Sequence, residues 1–167
     1  MHTASWRTAY AGILPADYLA GQVEADHANS WRALLADRVT AGMFVAEADA
    51  RVVGFAYLRP VGARILLDNL HAHPGARGQG IGSRLVEAGL GWAGESFPDR
   101  EVYLEVLTAN TAAIGFYESR GWQRTASGTV RFPDGTTVAE FEYTWRGVAP
   151  RTLIAAPDTN VTDPELR

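Results

Sequence analysis

The sequence has 167 residues, 47% hydrophobic and 20% charged, and these values are typical of one globular domain with a substantial core rather than of a disordered chain. It contains no cysteine, which excludes disulfide bonds, a thiolate nucleophile and a zinc site with cysteine ligands. The net charge of −4, without a dense Lys/Arg run, a long apolar run or a signal-peptide pattern, predicts a cytoplasmic protein that binds neither nucleic acid nor membrane.

Apolar periodicity and turn residues predict helices and strands along most of the chain. The helices are expected at residues 5–10, 16–23, 29–39, 83–96 and 110–120. The strands are expected at residues 43–47, 52–58, 65–73, 102–106, 129–132 and 137–145. Such a mixture indicates an α/β sheet in one domain, residues 1–147. Residues 148–167 contain three prolines and no sustained period, so we expect a flexible tail, or one in which Leu153 and Ile154 pack on the body or on a partner chain.

A glycine-rich turn separates the strand at 65–73 from the helix at 83–96. Its sequence is Arg77-Gly78-Gln79-Gly80-Ile81-Gly82. Alternate glycines leave the backbone amides at the helix N-terminus unobstructed by side chains, which favours the binding of a phosphate. The G-x-G-x-G spacing differs from the G-x-G-x-x-G of dinucleotide-binding folds, and the loop lacks the lysine of a P-loop. Neither nucleotide-binding signature is therefore present.

A second strand and helix carry polar residues in an apolar setting, from Glu105 through Asn110 and Tyr117 to Gly121-Trp122. Together with the glycine loop, this unit resembles the cofactor site of the GCN5-related N-acetyltransferases. The resemblance implies the fold of that family, a mixed and mostly antiparallel sheet flanked by helices, with a cofactor cleft between its splayed fourth and fifth strands. In that family a further strand precedes the first helix. Here only residues 1–5 remain, so either the start is truncated or the first edge strand is missing.

The resemblance also implies how acetyl-CoA, the expected co-substrate, would bind. Backbone groups of the strand before the loop would pair with the pantetheine arm, and these belong to Leu70, His71 and Ala72. Amides of the loop would bind the pyrophosphate, and these belong to Arg77, Gly78, Gln79, Gly80, Ile81, Gly82 and Ser83. Asn110 would contact the pantetheine amides. As the first residue of a helix it is also an ordinary N-cap, and the two roles are compatible.

Tyr117 is the expected general acid, because the family places a tyrosine here beside the thioester sulfur, where its phenol protonates the departing CoA thiolate. It lies two helical turns after Asn110, so both side chains project from nearly the same helix face. The alternative is a core aromatic residue beside Phe116 and Trp122.

Glu105, His71 and a bound water compete for the role of base. Strand alternation turns Glu105 away from its apolar neighbours, and it matches the glutamate proposed as base in a family branch that acetylates protein N-terminal amines. Its alternative is a solvated or salt-bridged carboxylate. His71 and His73 are expected on one strand face beside the acetyl group, where either would relay a proton. The favoured alternative for His73, directly before Pro74, is a strand-end residue that faces solvent. A metal site is not expected, because no third ligand lies nearby.

The expected reaction is acetyl transfer to a primary amine by direct attack in a ternary complex, because no cysteine offers a covalent relay. Residues 6–15 resemble the start of family members that acetylate small molecules, and this favours a small-molecule amine as the acceptor. Glu105 instead favours a peptide or protein N-terminal amine. Trp6, Tyr10 and Tyr18 would line the acceptor cleft or pack between helices. A non-catalytic acyl-CoA binding module is the rival of a different class, and a homodimer is a further expectation.

Overall fold

The structure is a computed structural model that describes residues 2–36, 40–76 and 78–147. The helices are α1 (His2–Ala9), α2 (Ala16–Ala20), α3 (Val23–Ala36), α4 (Ile81–Ser96) and α5 (Thr111–Glu118). The strands are β1 (Gly42–Ala48), β2 (Arg51–Val61), β3 (Arg64–Ala72), β4 (Val102–Leu107), β5 (Trp122–Arg131) and β6 (Thr137–Trp145). A short 3-10 turn, Pro74–Ala76, connects β3 to the glycine loop. None of the helices in the described ranges is long and apolar enough to span a membrane.

The six strands form one sheet in the order β1-β2-β3-β4-β6-β5. Neighbouring strands run antiparallel except for β3 and β4, which are parallel. This topology confirms the predicted mixed, mostly antiparallel sheet flanked by helices. β1 and β5 lie at the two edges of the sheet, and no strand precedes α1 within the described part of the chain.

The parallel pairing of β3 with β4 is short. It joins Ile65 to Val102 and Leu66 to Tyr103 and then ends, although both strands continue. Just after this point Asp68 forms a bulge against β2, and a bulge increases the local twist of its strand. β3 therefore diverges from β4, and the two strands enclose the predicted splayed cleft.

Helices cover both faces of the sheet. On one face Leu58 of β2 meets Gly89 of α4. On the other face Phe55, three residues before Leu58 in β2, packs against Trp31 of α3 and His2 of α1. The main core lies between the sheet, α4 and α5. Its buried members are Ala56, Leu58, Ile65, Leu67, Leu85, Val86, Leu90, Ala93, Val102, Leu104, Val106, Tyr117, Trp122 and Tyr143.

The predicted starts of two elements are wrong. β5 begins at Trp122 and not at residue 129, because the residues after Trp122 are exposed and show no apolar alternation, and pairing with β6 makes them a strand. α3 begins at Val23, a fully buried residue followed by a polar first turn that hides the helical period. The predicted bounds of β6 are confirmed. The tail, with Leu153 and Ile154, lies outside the described residues, so the boundary at residue 147 stays a prediction.

Replacing Gly54 by alanine is expected to destabilise the fold by roughly 1–3 kcal/mol, because an added Cβ would overpack the junction of β2, β3 and α4. That atom would lie 2.8 Å from Ile81 Cγ2, 3.0 Å from the His71 carbonyl oxygen and 3.1 Å from Leu85 Cδ1. Gly115→Ala in α5 is the matched control, because an added Cβ there meets nothing within 4 Å. Urea denaturation measures both free energies of unfolding, and equal values would contradict the prediction.

Candidate active site

The glycine loop is shaped to hold an anion at the N-terminus of α4. Gly78 and Gly80 have φ angles of +78° and +73°, in the left-handed region that favours glycine, and Gln79 between them is exposed. α4 begins at Ile81, and the residue before it provides no side-chain cap. The amides of this first turn therefore lack intrahelical partners. These features fit the diphosphate of CoA, whereas Arg77 lies outside the described residues.

Gly82 and Ser83, in the first turn of α4, contact α5. A Cβ at Gly82 would lie 3.2 Å from Phe116 Cζ, so the glycine allows α5 to approach closely. Ser83 Oγ accepts hydrogen bonds from Nε and Nη2 of Arg120, at 3.1 Å and 2.6 Å. Sequence reasoning missed Arg120, because its only signal was a basic residue before Gly121.

β3 forms one wall of the cleft. Leu70 packs on the main core, and Ala72 pairs with Gly54 at the end of the strand. Because the ladder to β4 ends at Leu66, the backbone groups of β3 that face β4 beyond this residue have no strand partner in the described part of the chain. Backbone N–H and C=O groups require hydrogen-bond partners, and the amides of an extended ligand would supply them. Leu70, His71 and Ala72 belong to this stretch of β3, and their pairing with a pantetheine arm stays a prediction.

Asn110 caps α5, as its alternative role predicted. Its Oδ1 accepts a hydrogen bond from the Ala113 amide at 3.2 Å. The cap uses the oxygen alone, so the side-chain NH2 group still has two donors for a ligand carbonyl. The cap is confirmed, and the contact with pantetheine stays a prediction.

Tyr117 lies in the main core and is 8% exposed. Its ring contacts Phe116 and Trp122, with centroid distances of 5.2 Å and 5.7 Å. Burial raises the pKa of the Tyr117 phenol, and electrostatic interaction with Tyr10 raises it further. Tyr10 follows α1 and packs against the smaller cluster of the N-terminal helices. The core position of Tyr117 is confirmed, and its role as the acid stays a prediction.

Glu105 is exposed between its buried neighbours Leu104 and Val106, as predicted, and is the one exposed residue of β4. Within the described ranges it makes no ion pair, because the adjacent arginines are engaged: Arg59 binds Asp68 at 2.8 Å, and Arg64 binds Glu142. Partial desolvation raises the pKa of the Glu105 carboxyl, and the charges of Glu142 and Asp68 add to this shift. Glu105 is therefore a solvent-accessible carboxylate of increased basicity on the face of the sheet opposite α4.

His71 belongs to a cluster of three histidines at α1 and α3. Its Nδ1 lies 3.0 Å from Ser5 Oγ, and its ring lies 4.4 Å from that of His2. His2 stacks on His27 at 3.8 Å, and sequence reasoning missed His27 because α3 was predicted to begin after it. Burial, with His27 adding to it, lowers the pKa of His71 to about 3, so the ring is neutral at pH 7. No group suited to metal binding occurs among the residues that the structure describes.

His73 does not share the environment of His71, so the shared strand face is wrong, whereas the expected solvent-facing position of His73 at the strand end is confirmed. β3 ends at Ala72, so strand alternation does not extend to His73, which is exposed and whose Nδ1 accepts a hydrogen bond from the Gly75 amide. Tyr18 likewise has a packing role, because it is buried in a second, smaller cluster of the N-terminal helices. Trp6 and Tyr10 pack against that cluster and are partly buried.

The sequence matches the acetyltransferase (GNAT) family model over residues 5–122. An uncharacterized protein of Mycobacterium leprae (strain TN) is 33% identical over 107 residues, which cover 59% of this chain and 29% of that protein. This chain therefore spans less than a third of the length of that relative.

Two solved structures share the fold. Nourseothricin acetyltransferase is 23% identical with a TM-score of 0.57, and the match covers 63% of this chain and 64% of that chain, slightly less than two thirds. PaiA N-acetyltransferase from Thermoplasma acidophilum, solved in complex with coenzyme A, is 20% identical with a TM-score of 0.61, covering 83% and 86% of the two chains.

Acidification from pH 7.5 to 5.5 is expected to lower the free energy of unfolding by roughly 1 kcal/mol through His71. The imidazole of the unfolded chain, with a pKa near 6.5, binds a proton in this window, whereas the folded ring, with a pKa of about 3, does not. His71→Gln should lose this contribution in urea denaturation at the two pH values. His73→Gln, which removes an exposed imidazole outside the cluster, is the control, and equal pH responses of the two variants would contradict the prediction.

Proposed function

This chain belongs to the acetyltransferase (GNAT) family, and we propose that it transfers the acetyl group of acetyl-CoA to a primary amine of a small molecule. The observation that carries the proposal is the open junction of β3 and β4, whose ladder ends after two residue pairs. Tyr117 belongs to the core on the α4 face of the sheet, and Glu105 lies on the opposite face. In this proposal the two residues act from the two sides of that opening as acid and base.

Glu105 is the preferred base in this proposal. Its carboxyl is exposed and its pKa is raised, so it accepts a proton from the acceptor ammonium, directly or through water, more readily than an ordinary carboxylate. His71 is a weaker candidate, because burial lowers its pKa to about 3 and Nδ1 is engaged by Ser5.

Tyr117 is the proposed acid. Bound acetyl-CoA supplies the activated acetyl thioester, and the tyrosine protonates the departing thiolate. A tyrosine phenol, with an ordinary pKa of about 10, carries its proton at neutral pH, and burial raises the pKa of Tyr117 further. A β3 amide without a strand partner would donate to the carbonyl oxygen as negative charge develops there. Attack is direct in a ternary complex, because the sequence has no cysteine for a covalent relay.

The position of helix α1 over the cleft favours a small acceptor. α1 contacts β3, and its Trp6 packs on Phe132 in the β5–β6 connection with 5.9 Å between ring centroids, so the helix crosses the acceptor side. A covered cleft admits a small amine more readily than the terminus of a folded protein. The exposed Glu105 favours the alternative, a peptide or protein N-terminal amine. The homodimer and the cytoplasmic location stay predictions from the sequence.

Release of CoA in the presence of a panel of amines tests the proposed activity. We expect small primary amines to raise the rate above that without an amine, and peptides to raise it less. Binding of acetyl-CoA without release of CoA would indicate a non-catalytic acyl-CoA binding module. Faster release with peptides would favour the alternative acceptor.

Tyr117→Phe is expected to lower the single-turnover rate about 10²- to 10⁴-fold, the usual contribution of a general acid, with little change in KM for acetyl-CoA because the ring remains. Tyr143→Phe is the control, since it removes a buried hydroxyl that donates to Glu118 Oε1 at 2.7 Å. Full turnover by the Tyr117 variant, in an assay limited by chemistry, would show that this phenol is not the acid.

Glu105→Gln is expected to lower kcat/KM for the amine about 10²-fold or more and to remove the acid limb of its pH profile. In the wild type the rate should rise with pH as Glu105 ionises, through a pKa above its ordinary value. Glu101→Gln, which breaks the ion pair with Arg146 just before β4, is the matched control. An unchanged pH profile in the Glu105 variant would move the role of base to His71 or to water.

A further inference from the structure

Arg120 has an unusual set of partners at the end of α5. Nε and Nη2 donate to Ser83 Oγ, while Nη1 donates to the Phe116 carbonyl oxygen at 2.9 Å and to Ser119 Oγ at 3.0 Å. The guanidinium also lies 3.8 Å above the centre of the Phe116 ring. It is thus held in one orientation by four hydrogen bonds and a ring.

The charge of Arg120 is not neutralised by these partners, because all of them are uncharged. Across residues 2–36, 40–76 and 78–147, no carboxylate forms an ion pair with this guanidinium. Arg59 and Arg64, by contrast, bind carboxylates directly. A half-buried cation that is fixed in place without a counter-ion favours the binding of an anion.

The position of Arg120 beside the glycine loop indicates which anion it would bind. Ser83 is the third residue of α4, so the guanidinium lies at the first turn of the helix whose amides have no side-chain cap. α5 is held against this turn by the contact of Phe116 with Gly82. The guanidinium and the free amides therefore border the same loop.

Donors remain available on both members of the Arg120–Ser83 pair. An arginine has five N–H donors, and the four hydrogen bonds leave one N–H of Nη2 without a partner. Ser83 Oγ accepts two hydrogen bonds from Arg120, so its own O–H is free to donate.

We propose that Arg120 and the Ser83 hydroxyl that it orients bind the diphosphate of CoA, in addition to the amides of the glycine loop. This inference rests on the proposed function, because it requires CoA as the ligand. Arg120 would contribute to the affinity for the co-substrate and take no part in the chemistry of acetyl transfer.

Calorimetric titration of the wild type, Arg120→Gln and Arg120→Lys with CoA and with 3′-dephospho-CoA tests this proposal. We expect Arg120→Gln to weaken both ligands by the same factor, about 10- to 100-fold, because both carry the diphosphate. Arg120→Lys, which keeps the charge, should lose less. Arg124→Gln is the matched control, because Arg124 also stacks on a phenylalanine, Phe141, but lies on β5 at the far edge of the sheet.

Several outcomes would overturn the proposal. Unchanged affinity in Arg120→Gln with a lowered Tm of the free protein would make Arg120 a link between α4 and α5 and nothing more. A loss confined to CoA would assign the residue to the 3′-phosphate instead. If the wild type did not bind CoA, the proposed function itself would be overturned. Unchanged affinity in the Arg120 variant would overturn only the role of Arg120.

Discussion

The short ladder between β3 and β4 is the constraint on which the rest of the site depends. Every other pair of neighbouring strands is joined over five or more residue pairs, and this one is joined over two. Unpaired backbone groups inside a sheet are unfavourable unless a partner completes them, and an extended ligand with amide groups is such a partner.

Among the described residues, a carboxylate without an ion pair and an arginine without a counter-ion lie in different parts of this site. On the proposed acceptor side, Arg59 and Arg64 are neutralised by Asp68 and Glu142, so Glu105 is left as a carboxylate without an ion pair in the described ranges. At the glycine loop, Arg120 is a cation held by uncharged groups. An anionic co-substrate and a cationic amine would each meet a complementary charge. The net charge of −4 does not reveal this division, because it sums over the whole surface.

The histidine cluster joins the N-terminal helices to β3. Burial lowers the pKa of His2 to about 2 and that of His71 to about 3, so these rings pack as neutral aromatic groups against Phe55. Neutral imidazoles allow close stacking without charge repulsion. The consequence is sensitivity to acid, because the unfolded chain gains protons that the folded chain excludes.

Local spacing in the sequence was sufficient for the features that depend on neighbouring residues. The glycine loop, the N-cap at Asn110, the outward orientation of Glu105 and the bounds of β6 follow from spacing, capping and alternation within a few residues. Other features join residues that are distant along the chain: Arg120 with Ser83, and His71 with Ser5. The start of β5 likewise depends on pairing with β6. Such contacts are set by the packing of whole helices and strands, and no local pattern specifies which distant residue will be the partner.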